Sequence, residues 1–113
     1  MRGGELNAAL TNALVRTQTE HLDRGPASAI TFYRGNVVVA VMHEVLTNAE
    51  KVLARNGSHD DVSEFRRLSR QVMEADFRAA VERLTGRRVI AFLGANRLEP
   101  DVAAEIFILD APL

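Results

Sequence analysis

A chain of 113 residues has room for one domain and one core, here taken as residues 1–113. Hydrophobic residues make up 47%, enough for packing without staples, and the lack of cysteine excludes disulfides, thiolate metal sites and a cysteine nucleophile. A formal net charge of −1 argues against a nucleic-acid partner held by general phosphate attraction.

Met1 to Asn7 offers no signal-peptide core, and no run approaches the roughly 20 apolar residues of a membrane span. The expectation is a soluble, cytoplasmic chain without a transmembrane segment. Lys51 is the single lysine beside thirteen arginines. A GC-rich genome accounts for that bias unless the arginines cluster at a site that uses their planar fork.

From the N-terminus, Leu6, Leu10, Ala13, Leu14 and Thr17 recur at helical spacing and predict a helix over Glu5–His21. It stops before Asp23-Arg24-Gly25-Pro26, where Gly25 offers a positive φ and Pro26 forbids continuation. Strands follow over Ala29–Arg34 and Val37–Met42, joined by a Gly35-Asn36 turn in which both residues tolerate positive φ. Thr47 and Glu50 form a capping box for a short helix ending near Arg55, with Asn56-Gly57 as its terminus.

After the start signal Ser58-His59-Asp60-Asp61, the longest helix runs from about Asp61 to Leu84 and ends at Gly86. Its apolar arc is expected to hold Val62, Phe65, Leu68, Val72, Met73, Phe77, Ala80 and Leu84. Strands over Val89–Leu93 and Glu105–Leu109 complete the chain, separated by Gly94–Asp101. The order α-β-β-α-α-β-β predicts an α+β fold with one four-stranded, mainly antiparallel sheet. Val37–Met42, Val89–Leu93 and Ile106–Leu109 are apolar on both faces, so helices must cover both sides or a second copy must cover one. The expectation is a homodimer.

Few residues suggest chemistry. His43-Glu44 lacks the second histidine of a zinc-protease motif, since Thr47 stands there, and His21, His43 and His59 fall in three separate elements. No metal, cofactor or catalytic set is expected. Asp60-Asp61 suits the first turn of a helix electrostatically. Arg66, Arg67 and Arg70 read either as a solvated face salted by Glu64 and Glu74 or as a dock for an acidic partner.

Asp76 falls inside the expected apolar arc. It reads as a buried titratable candidate, or as a carboxylate paired or placed at the arc's edge. Arg24 is left unexplained by turn chemistry. It would serve an anion site built with Gly25, Asn96 and Arg97, or a salt bridge that pins its loop.

Three motifs occur in order: Arg24-Gly25-Pro26 after a helix, Leu46-Thr47-Asn48-Ala49-Glu50 after a valine-rich hairpin, and Thr85-Gly86-Arg87-Arg88-Val89 opening a strand. Together, from about Leu6 to Leu109, they resemble the small bacterial Na-translocating, or MpsC-like, family. Asp23 replaces the first glycine of that family's usual Gly-Arg-Gly-Pro, and Asn96 and Arg97 stand in a loop that is often acidic in the family. The resemblance implies a soluble accessory or regulatory protein of a membrane system for sodium-coupled potential generation or inorganic-carbon uptake. A membrane-transport protein would be its partner and would hold it at the inner membrane. No catalytic residues come with the family. The alternative is a stand-alone regulator that binds a small anion; an enzyme using Asp76 or Arg24 is a distant third.

Overall fold

The computed structural model describes residues 3–113. The elements are α1 (Gly3–Leu22), β1 (Ser28–Arg34), β2 (Val37–His43), α2 (Asn48–Arg55), α3 (His59–Thr85), β3 (Val89–Arg97) and β4 (Val102–Leu109). The fold is α+β, and its four strands form one antiparallel sheet in the order β1-β2-β4-β3.

Local chemistry explains most of the boundaries. Gly35 turns the first hairpin at φ 59°. Asn36 does not share that conformation; it ties the turn to β4, its amide donating to the Leu109 carbonyl at 3.1 Å. The capping box of α2 is present, with the Thr47 side chain accepting from the Glu50 N–H and Glu50 accepting from the Thr47 N–H. Gly86 closes α3 in the left-handed conformation, φ 69°. The third and fourth strands are longer than expected, because β3 continues through Gly94 and Asn96 and stays in register with Glu105 and Ala103. Their connection shrinks accordingly to residues 98–101.

Alternation along the strands separates the two faces of the sheet. Val38, Ala40 and Met42 of β2 and Ala103, Phe107 and Leu109 of β4 are buried against Leu6, Leu10 and Leu14 of α1 and Met73, Phe77 and Val81 of α3. Phe107 stacks on Phe92 at 5.0 Å between ring centroids and meets Phe77 edge-on at 6.4 Å. Each buried aromatic stabilises this layer by about 1.5–3 kcal/mol.

Outward side chains run across the sheet in rows fixed by the register. Phe32, Val39, Ile106 and Leu93 form the central row. Ile30, Val41, Ala104 and Ala95 flank it on one side, and Arg34, Val37, Ile108 and Ala91 on the other. These residues are half-buried or exposed, with Phe32 and Leu93 47% and 55% exposed.

The core face of α3 differs from the expected arc. Val62, Arg66, Met73, Phe77, Ala80 and Val81 are buried, whereas Phe65, Leu68 and Val72 are exposed. At 100° per residue, Val62, Arg66, Arg70, Met73, Phe77, Val81 and Leu84 form one stripe, and Phe65, Leu68 and Val72 a second stripe beside it. The expected arc merged the two, because hydrophobicity alone does not reveal which stripe the sheet covers.

Candidate functional site

Two arginine–glutamate pairs lie inside the fold. Arg66, 2% exposed, donates through Nε to Glu50 Oε2 at 2.7 Å and through its terminal nitrogen to Glu50 Oε1 at 2.6 Å. The same nitrogen reaches the Val45 carbonyl at 2.8 Å, so one guanidinium joins α3, α2 and the end of β2. Burial raises the Glu50 carboxyl, but Arg66 and the Thr47 N–H outweigh it and hold it below its ordinary value.

Arg70 makes the second pair with Glu105 on β4, Nε to Oε2 and the terminal nitrogen to Oε1, both at 2.8 Å. It also donates to Asn96 Oδ1 at 2.7 Å. Glu105 is 1% exposed; burial pushes its carboxyl above the ordinary value against the pull of Arg70. Gly94, paired with Glu105, leaves space for this cluster, since a Cβ there would overlap Arg70 Nε and Glu105 Oε2. Of the expected arginine group only Arg67 is exposed, bonded to Glu64 one turn earlier.

Arg24 and Gly25 sit at the entrance to β1. Here the positive φ belongs to Asp23 (φ 56°), not to Gly25. Pro26 holds Gly25 away from the helical region, and the missing Cβ matters instead for close approach, 2.8 Å from Thr19 Oγ1. Arg24 donates to the Glu44 carbonyl at 3.3 Å, while its Nε is buried without a partner. Glu44 is itself left-handed, φ 56°, where the chain leaves β2.

Asn96 and Arg97 lie at the same end of the sheet but on the opposite edge. Three strand spacings, about 14 Å, separate them from the β1 edge. Successive residues of one strand also face opposite ways, and Asn96 already accepts from Arg70. Arg24, Gly25, Asn96 and Arg97 therefore do not converge on one small ligand.

Between those edges lies a cleft of about 570 Å3 under α2. Lys51, Arg55, His43 and His59 meet Glu44, Glu99 and Asp101 along its wall, so no single sign of charge prevails. Asp101 is committed to structure, accepting the Val45 and Leu46 N–H groups at 3.1 and 3.0 Å. Among the described residues no group of three His, Asp or Glu side chains could hold a metal ion.

A second groove, about 450 Å3, runs between the end of α1, α2 and the start of α3, and its floor is mainly apolar. Leu53 and Phe65 line it, and His21 and Asp23 close one side. Asp76 is not buried, so it is not the buried titratable group of one reading; it is the paired carboxylate at the arc's edge of the other. Its side chain is 62% exposed and accepts from His21 Nε2 at 2.9 Å, because it falls between the two stripes of α3 and not within the core stripe.

A family model described as "Na+-translocating membrane potential-generating system (MpsC)" matches residues 2–111. The chain belongs to the MpsC family. No curated protein and no solved structure is similar enough to count as a match. No helix among the described residues of this MpsC chain is long and apolar enough to cross a membrane.

In this MpsC domain the buried pairs were the residues missed by sequence reasoning, and two signals pointed to them. Arg66 and Arg70 share a helical stripe with Val62, Met73 and Phe77, and Glu105 occupies an inward position between Ala103 and Phe107. A carboxylate at the centre of an inward strand face requires a cation from the covering helix.

Proposed function

We propose that this MpsC chain is a non-enzymatic accessory or regulatory protein of a sodium-translocating membrane system, acting as a homodimer held at the inner membrane by an integral partner. The observation that carries this reading is the uncovered outer face of the sheet. Three rows on four strands span roughly 20 by 20 Å, about 400 Å2, which is a large apolar patch for an isolated domain. Charged side chains on that face stand only at its ends, Arg34 at one and His43 and Arg97 at the other. Two such faces can stack about 10 Å apart across a two-fold axis. The family description and the absence of a spanning helix among the described residues support action through membrane-bound subunits.

The test is to co-express the chain with the integral subunits of a sodium-translocating system from the same genome and purify the complex in detergent. Co-elution in fixed ratio is expected, and deletion of the chain should lower sodium-dependent membrane potential. Asp76→Asn and His43→Gln should restore that potential as fully as the wild type, because no catalytic group is lost. A potential unchanged by deletion, with no co-elution, would remove the accessory role.

A second reading, small-anion binding, is favoured by one observation: the Arg24 Nε, buried without a partner. Calorimetric titration with bicarbonate and phosphate would support it if saturable binding disappears in a folded Arg24→Ala variant. Heats of dilution alone would dismiss it.

A further inference from the structure

We propose that the groove between α1, α2 and α3 docks a basic amphipathic helical segment of a partner protein. Its apolar element is the second stripe of α3. Phe65, Leu68 and Val72 are 49%, 46% and 68% exposed and stand at i, i+3 and i+7; Phe65 lines the groove with Leu53 of α2, and Leu68 and Val72 continue the stripe beyond it along α3. The fold does not need these side chains at the surface, since the core stripe of the same helix already meets the sheet. From Phe65 to Val72 the stripe rises about 10 Å, two turns, which matches the anchor spacing of an amphipathic helix laid in a groove.

The charges around it select the partner. Asp23 and Asp61 line the groove, and neither has an ion-pair partner among the described residues. Asp76, one turn beyond Val72, is bonded to His21, which lines the groove beside Asp23, so the unpaired negative charge there is that of Asp23 and Asp61. The neighbouring cations are already engaged, Arg66 with Glu50 and Arg67 with Glu64. An apolar floor with a negative rim attracts leucine-type anchors flanked by lysine or arginine and repels an anionic lipid surface. Cytoplasmic segments of membrane proteins carry an excess of those cations next to their spans. Assigning the segment to a membrane subunit rests on the accessory role proposed above; the docking chemistry does not.

Fluorescence anisotropy on the full chain tests this with a labelled helical peptide of about 18 residues, leucine on one face and lysine on the other, and with its leucine–glutamate counterpart. The basic peptide is expected to bind at least about tenfold more tightly, with affinity falling as salt rises. Asp23→Asn combined with Asp61→Asn should weaken it several-fold, and Val72→Asp about tenfold or more at an unchanged melting temperature. Equal affinity for the two peptides would overturn the proposal. So would wild-type affinity in Val72→Asp, or binding to phosphatidylglycerol vesicles in place of the peptide. Peptide binding without co-purified membrane subunits would leave the groove standing and remove the accessory role. Co-purification that survives Val72→Asp would do the reverse.

Discussion

On the inward side of α3, Arg66 and Arg70 lie among Val62, Met73 and Phe77, while on the outward side Phe65, Leu68 and Val72 meet solvent. The inward arginines are tolerated because each meets a carboxylate through two hydrogen bonds and spends a further donor on Val45 or Asn96. They fix which elements meet: Arg66 ties α3 to α2 and the end of β2, and Arg70 ties it to β4. The outward residues make no polar link of this kind between elements. Buried charge here ties the elements of the fold together, and exposed hydrophobicity is what the proposed associations draw on.

The largest effect should come from breaking one inward pair. Arg66→Ala strands Glu50 and is expected to cost about 3–5 kcal/mol in urea unfolding. Pairing it with Glu50→Leu should recover much of that loss, since no unpaired charge then remains. Arg67→Ala, at the exposed pair, should leave the unfolding midpoint unchanged.

Glu105→Leu leaves the largely buried Arg70 without its two carboxylate acceptors, an expected loss of about 2 kcal/mol. Gly94→Ala pushes a methyl into the same cluster and should cost about 1–3 kcal/mol through strain.

The two buried carboxyls should also differ in pH dependence. The Glu105 value is raised above 4.5 on folding, so its contribution is fully present below pH 4.5 and declines as pH rises through the folded value. The Glu50 value is lowered, so its contribution is present above pH 4.5 and is lost as pH falls through the folded value. Unfolding followed across this range should therefore lose its high-pH decline in Glu105→Gln and its acid-side decline in Glu50→Gln.

The smallest effect on stability is expected outside. Val72→Ser should change unfolding by no more than about 0.5 kcal/mol, yet weaken capture of the basic peptide several-fold.

Much of the architecture was legible because local signals agreed with it. Gly35 at the hairpin, the Thr47–Glu50 box and Gly86 each mark a boundary by backbone chemistry that needs no tertiary partner. The two-faced strands likewise announced an uncovered surface. The face of α3 was not legible, because Phe65, Leu68 and Val72 imitate a core stripe and the arginines imitate a solvated one. Burial of Arg66 and Arg70 depends on Glu50 and Glu105, which lie 16 and 35 residues away in the chain. Asp76 was misplaced by the same merging of stripes. Arg24 was left over by turn geometry, and its contact with the Glu44 carbonyl is one only the folded chain creates.

The claim that outward apolar residues serve association is tested most directly by sedimentation velocity of the purified chain at micromolar concentration, beside Phe32→Glu combined with Leu93→Glu. The wild type should sediment at twice its 12.5 kDa mass, and the double variant, with an unchanged circular dichroism spectrum, at the single mass. A monomeric wild type, or a double variant that still dimerises, would contradict the account.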